Sequence, residues 1–494
     1  MNILTTFAAG TTEFLRYDVL LAMLAGIPLG LFLGLLPGIG GLTALALLLP
    51  LVHGMAPLPG LAFLLSVHAV IYNGGSVTAI VFGVPGAPPS AATLLDGRPL
   101  ALQGKAAYAV ATALSASAIG GVFGAIVLGL LLPVLQPVVL SFGSPETFML
   151  ALAGIACLAI LAKGDMIKGW IAGGLGLFLA TWGYQQTTGE PRFWFGSDYL
   201  LDGLRLVPVI TGLFAVPEIM SLSMAGAMVP DAAAVGMPGR QVRDGILAPL
   251  YHWGLTLRSS LIGVIVGIMP GGGGEASSFI AYGAAKQGAR EAAHFGEGAI
   301  EGVIAPEAAN NSKEGGALVP TLALGIPGSS GMVLLLGAFQ LVGLEPGPDF
   351  LKRHADLAVG LTLTLAVANV LAALLMLVLA QPVARIARLR GRVIAPLLLA
   401  AMVLGVYAAG HSLADIVLMF VAGALGCVMQ RCGYSRAALI LGFTLGDMIE
   451  TYLGISLQAY GIGFLLRPVP LAIAVLLAAA TLWRPVVLPW VRRG

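Results

Sequence analysis

Four glycine- and proline-rich elements interrupt apolar stretches of this chain, and the residue types around them suit the binding of a small anion beside a cation. GLLPGIGG occupies 34–41 and GIMPGGGG occupies 267–274. Each is followed by a second element, GGSVTAIVFGVPG at 74–86 and GGALVPTLALGIPG at 315–328. A helix broken inside a bilayer exposes backbone N–H and C=O groups, which is tolerated only where protein or a water-filled cavity covers them. Carriers use such breaks: half-helix N-termini face the anionic substrate and unwound carbonyls face a coupling cation. Glycine permits close backbone approach, and successive N–H groups form anion-binding nests. The expected substrate-site backbone is Gly38, Gly40, Gly41, Gly74, Gly75, Pro85, Gly86, Gly271, Gly272, Gly273, Pro327 and Gly328. Asn73, Ser76, Ser277 and Ser329 are the side-chain donors expected with it. Thr78, Glu275, Asn310, Asn311 and Thr321 carry oxygens suited to a coupling cation and are expected to face it. Gly40→Val or Gly273→Val is expected to abolish activity by blocking close backbone approach.

These residues need apolar elements to hold them. The 494 residues are 58% hydrophobic and 10% charged, with a mean hydropathy of +0.96. Soluble domains carry about 25% charge, so the chain reads as an all-α polytopic membrane protein in a lipid bilayer. Spans of about 20 apolar residues fall at 18–36, 106–135, 138–161, 166–184, 203–228, 254–269, 356–384, 393–410, 412–430, 436–454 and 468–483. Segments 42–85 and 315–344 read as discontinuous helices or re-entrant hairpins, giving roughly 11–14 membrane segments. The longest polar stretch, 286–314, reads as a surface helix leading into the last broken element.

Pro37 and Pro270 lie 233 residues apart, and Pro85 and Pro327 lie 242 apart. Two ordered elements at nearly one offset predict a duplicated half. The first repeat is 1–235, with broken elements 34–50 and 72–96, and the second is 236–494, with broken elements 267–282 and 310–331. Basic residues concentrate in short cytoplasmic loops, which puts Arg385, Arg388, Arg390, Arg392, Lys168, Arg240, Arg431 and Arg436 inside. The aromatic loop 185–199 then falls outside. On that assignment the loop with Arg98 and Lys105 is inside and the matching loop with Lys352 and Arg353 is outside, so the repeats are predicted to be inverted.

Other chemistries find little support. Three cysteines in apolar runs make no disulfide framework, and six scattered histidines have no zinc-like spacing. GGGGEAS lacks the Lys-Ser/Thr ending of a phosphate loop. No nucleophile–base constellation marks the spans, so an enzyme is not expected. A net charge of +2 gives no reason to expect nucleic acid. Among the carboxylates in or near apolar runs (Glu146, Glu218, Asp415, Asp447, Glu450), Glu450 is the one expected to be buried.

With these elements in view, the chain resembles the large membrane subunit of the tripartite tricarboxylate transporter family. The resemblance runs through GLLPGIGG, the YNGGSVTAIVFGVPGAPPSAATLLDGRPLALQGKA run at 72–106, GIMPGGGG, APEAANNSKEGGALVPTLALGIPGSSG at 305–331 and GLEPGP at 343–348. Ala87-Pro88-Pro89 stands where the family often has a Glu, and Leu453-Gly454 where it commonly has an Arg. The resemblance implies a secondary transporter of the bacterial cytoplasmic (inner) membrane that imports a tricarboxylate, dicarboxylate or aromatic carboxylate. It also implies a Na+ or H+ gradient, an extracytoplasmic solute-binding protein and a small membrane subunit of about four spans. The alternative is a standalone carboxylate symporter or exporter that needs no binding protein.

Overall fold

The computed structural model describes residues 3–36, 40–140, 142–161, 166–185, 188–224, 238–269, 273–289, 292–386 and 391–486. Helices α1 (Ile3–Phe14), α2 (Tyr17–Gly34) and α3 (Gly41–Leu48) open the chain. Next come α4 (Pro57–Phe82), α5 (Ser90–Leu100), α6 (Ala106–Leu140), α7 (Ser144–Leu161) and α8 (Met166–Ala180). An antiparallel hairpin, β1 (Gly183–Tyr184) and β2 (Pro191–Arg192), and the short α9 (Asp198–Leu201) precede α10 (Leu206–Met224). The chain resumes with α11 (Gly239–Tyr251), α12 (Trp253–Ile268), α13 (Gly273–Gly288), α14 (Glu301–Leu324) and α15 (Ser330–Leu341). It ends with α16 (Pro348–Arg353), α17 (Ala355–Ile386), α18 (Gly391–Gly410), α19 (Leu413–Cys432), α20 (Arg436–Tyr460) and α21 (Pro468–Val486). Among the described residues seven helices are long and apolar enough to cross a membrane, and shorter apolar helices accompany them. The chain is an all-α polytopic membrane protein.

Two helices form the centre. Every residue from Leu58 to Phe82 of α4 is buried, and so is every residue from Gly302 to Ala323 of α14. The expected surface helix is therefore wrong: 286–314 divides into the end of α13, a connection, and the first half of the enclosed helix α14. Polarity cannot tell a surface helix from a polar core here, because the charges of α14 find partners inside the protein. Asn310 and Asn311, expected at a break, sit in the uninterrupted middle of α14.

Glycine lets neighbouring helices approach these two to backbone contact, the packing that drives association where lipid supplies no hydrophobic gain. A Cβ at Gly30 or Gly34 of α2 would lie 2.7 Å from Val67 O or 2.0 Å from Ile71 O of α4. A Cβ at Gly263 or Gly267 of α12 would lie 2.3 Å from Ala309 O or from Lys313 O of α14. The returning contacts match as well: Gly74 meets Leu31 O as Gly316 meets Val264 O, and Gly86 meets Gly34 O as Gly328 meets Gly267 O. Each pair recurs at the 233- and 242-residue offsets of the proline motifs.

The helix ends repeat too. Gly83 (φ 73°) closes α4 and Gly325 (φ 69°) closes α14, both in the left-handed conformation. Proline two residues further on has no N–H with which to continue either helix. The chain then restarts as α5 or α15.

Outside this core, Glu450 is not the buried carboxylate expected. It is partly exposed and holds Arg192 of the hairpin in a bidentate pair at 2.9 and 2.8 Å. Asp415 is buried instead, accepting from Tyr199 Oη at 2.6 Å and Arg205 Nη1 at 3.0 Å. Glu146 is buried as well, accepting from Gly143 N and paired with Arg467 at 3.2 Å.

Candidate functional site

Three helix N-termini meet at a cavity of about 460 Å³. Its wall includes Gly40 and Gly41 at the start of α3, Pro88 and Pro89 before α5, and Ser329 and Ser330 at the start of α15. Ser329 caps α15 by accepting from Met332 N. The α3 and α15 N-termini present N–H groups without an intrahelical acceptor, a ready-made anion site. At α5 the N–H groups of Ser90, Ala91 and Ala92 already donate to Ala87, Pro88 and Pro89 O, so that end adds only its share of helix dipole. Two cations reinforce it. Lys313 and Arg436 both line the cavity, with Tyr72, Phe214 and Glu218 beside them.

The lysine is held by buried neighbours. Its Nζ pairs with Glu314 Oε1 at 2.9 Å and lies 4.2 Å from the centre of the Tyr72 ring. Glu314 Oε2 also meets His68 Nε2 at 3.0 Å, and Lys313, Glu314 and His68 are each about 1% exposed. Buried charges persist only when paired and hydrogen-bonded. His68 Nδ1 has no hydrogen-bond partner among the described residues, and Gly41 lies beside it. Arg436 is less committed: it pairs with Glu218 at 3.2 Å, bonds Leu213 O and stacks on Phe214. Its side chain is therefore more than a topology-setting charge in a cytoplasmic loop.

A second polar cluster lies farther along α14. Glu307 accepts from Ser76 Oγ of α4 at 2.6 Å, from Ser117 Oγ of α6 at 2.7 Å, and from Thr93 Oγ1 of α5. It pairs with no cation among the described residues. Three residues on, Asn310 is buried with neither side-chain polar atom hydrogen-bonded among the described residues. Asn311 Nδ2 donates to Asn73 Oδ1 at 3.1 Å and to Asn369 Oδ1 at 2.6 Å.

The residues expected from sequence therefore divide. Gly40, Gly41, Pro85, Gly86 and Ser329 line the cavity. Gly74, Gly75 and Gly328 make helix contacts instead, and Ser76 belongs to the Glu307 cluster. Asn73 and Asn311 join the amide cluster, while Thr78 donates to Gly75 O and Thr321 to Ala317 O. Pro327 and Ser277 are buried away from the cavity wall. Gly38, Gly271 and Gly272 lie outside the described residues, as does the side chain of Glu275; Gly273 begins α13. The steric role expected of Gly40 does not hold, because a Cβ there meets nothing within 4 Å and its φ is −72°.

Sequence reasoning missed Glu307, Lys313 and Glu314. The 242-residue offset held the signal, since it sets them opposite Leu65, Ile71 and Tyr72 of the apolar first copy. A larger cavity of about 940 Å³ is lined by Arg258, His294, Glu297 and Glu301, and none of the four breaks reaches it. Among the described residues no group of three or more His, Cys, Asp or Glu gathers as a metal site.

The family model of the tripartite tricarboxylate transporter TctA family matches residues 20–441. An uncharacterised 52.8 kDa protein in the TAR-I ttuC' 3' region of Agrobacterium vitis is 33% identical over 456 residues, 92% of this chain and 90% of that one. An uncharacterised protein in the TAR-II ttuC' 3' region of the same organism is 36% identical over 191 residues, 39% of this chain and 79% of its own length. No solved structure matches.

Proposed function

Since the chain belongs to the tripartite tricarboxylate transporter TctA family, we propose that it is the large membrane subunit of a binding-protein-dependent, cation-coupled carboxylate importer. The observation that carries this is the meeting of the α3, α5 and α15 N-termini with Lys313 and Arg436 around one cavity. A di- or tricarboxylate needs several donors placed apart, and this wall offers helix N–H groups, a serine, an ammonium and a guanidinium. Both cations already have acidic partners, Glu314 and Glu218. An arriving carboxylate competes for them rather than meeting naked charge, so binding stays weak enough for release.

The repeats 1–235 and 236–494 are taken as an inverted pair that rocks about the shared α4–α14 core. The matched glycine contacts support this, because rigid backbone packing on both sides lets one unit move against the other. The working setting is the bacterial cytoplasmic membrane, with a small four-span subunit and an extracytoplasmic solute-binding protein as partners.

Uptake of radiolabelled citrate and succinate into proteoliposomes tests the proposal. Saturable, gradient-dependent uptake that rises at least tenfold with the binding protein is expected. Equal rates without the binding protein would leave a standalone carrier, and unsaturable flux would leave a channel.

A further inference from the structure

We infer that Glu307 is the protonation site through which the carrier takes up its driving ion, and that Ser76 and Asn310 link it to the cavity. The inference rests on the importer proposed above and names the ion and the group that binds it.

The geometry at Ser76 carries the argument. Its hydroxyl has one hydrogen but two close acceptors, Tyr72 O at 3.0 Å and Glu307 Oε1 at 2.6 Å, with Ser90 Oγ farther off at 3.4 Å. When Ser76 donates to the carbonyl, the short contact to Oε1 requires a hydrogen on Glu307. When Glu307 is ionised, the Ser76 hydrogen turns to the carboxylate. One proton from water thus switches the cluster between two complete hydrogen-bond arrangements, and its loss to the opposite side restores the first.

The surroundings suit a proton. Separations of 2.6 and 2.7 Å between hydroxyl and carboxylate oxygens are hydrogen-bond distances. Protonation removes the charge of a buried carboxylate whose partners among the described residues are hydroxyls alone.

Two charged residues on helices packed against α14, Asp96 and Arg258, have partners of their own. Asp96 of α5 is tied to Tyr282 of α13 and to the N–H groups of Gly296, Gly298 and Ala299. Arg258 of α12 donates to Ala284 O, and α4 and α6 present the hydroxyls of Ser76 and Ser117.

The cluster also connects to the cavity. Glu307, Asn310 and Glu314 fall at i, i+3 and i+7, one face of α14, with about 10 Å of rise between the two carboxylates. Asn310 stands between them with both polar atoms unbonded among the described residues. On the α4 side, Ser76 leads to Tyr72, whose ring lies under Lys313. Protonation at Glu307 and carboxylate arrival at Lys313 thus act on one rigid buried helix.

The test uses proteoliposomes holding the chain with its partner subunits, citrate as probe and a pH dye inside. Wild type is expected to admit protons with citrate and to accumulate it under a pH gradient alone. In E307Q the protons admitted per citrate fall at least tenfold and a pH gradient no longer drives accumulation, while E307D recovers part of both. A wild-type proton-to-citrate ratio in E307Q overturns the inference. So does full accumulation by wild type under a sodium gradient with no proton movement, which decides the matter even if E307Q fails to insert. Absence of saturable uptake under either gradient overturns the importer proposal and this inference together; uptake without proton movement overturns the inference alone.

Discussion

Helices α4 and α14 meet their glycine-bearing neighbours at matched registers, Ile71 O against Gly34 and Lys313 O against Gly267, yet their side chains differ in kind. At the 242-residue offset, Leu65 stands opposite Glu307, His68 opposite Asn310, Ile71 opposite Lys313 and Tyr72 opposite Glu314. The backbone frame is kept and the charge is placed in one copy. Packing through glycine leaves the side chain of each residue free to point elsewhere, so a frame of this kind survives large changes of polarity. The outcome is two unlike sites: a cavity under three helix N-termini, and a closed carboxylate cluster.

The largest expected effect breaks the frame. Gly34→Val and Gly267→Val would each drive a side chain into a carbonyl oxygen 2.0 or 2.3 Å away, at a cost of about 3 kcal/mol or more. Both are expected to prevent recovery of monodisperse protein on size exclusion. Failure of only one would mean that the matched contacts are unequal in weight.

Next comes the charge carried by α14 alone. The double variant K313M/E314Q removes a buried ion pair together and so avoids stranding one charge. It should insert normally and weaken citrate binding by on the order of 10- to 100-fold, the worth of one hydrogen bond to a charged group. Unchanged affinity by calorimetry would remove Lys313 from the substrate site.

A smaller change is expected at Arg436, which is partly exposed and already paired with Glu218. R436Q should raise the apparent KM for citrate about two- to fivefold, in keeping with the modest value of solvent-accessible ion pairs. Loss of all uptake would make Arg436 the principal anchor and demote Lys313. The smallest effect belongs to Gly40→Ala, whose new methyl meets nothing; uptake should stay within about twofold of wild type. Gly41→Ala, with Tyr72 Oη 3.2 Å and His68 Nδ1 3.4 Å from the added carbon, should be the more affected of the two.

Much of the architecture was legible because it rests on short-range rules. Gly83-Val84-Pro85 and Gly325-Ile326-Pro327 announce helix ends through left-handed glycine and a proline that cannot continue a helix. Gly40, Gly41, Pro85, Gly86 and Ser329 were legible as cavity residues for the same reason. Glu307, Lys313 and Glu314 were not, because a charged residue in a polar segment reads as solvated unless its partners are known. Those partners, Ser76, Thr93, Ser117 and His68, come from helices far away in the chain. Glu450 misled in the opposite direction: it sits in an apolar run, yet its partner is Arg192 on a hairpin 258 residues away.

By itself the sequence determined that the chain is an all-α membrane protein, that helices end at Gly83 and Gly325, and that its glycine-proline elements recur at two fixed offsets. Helix ends, apolar length and glycine spacing are local properties, written in consecutive residues. The tertiary structure alone decided that α14 runs through the centre, that α3, α5 and α15 point their N-termini at one cavity, and that Glu307 lies among hydroxyls rather than water. The physical reason is that the setting of a charge depends on what surrounds it in space, and only packing brings those groups together.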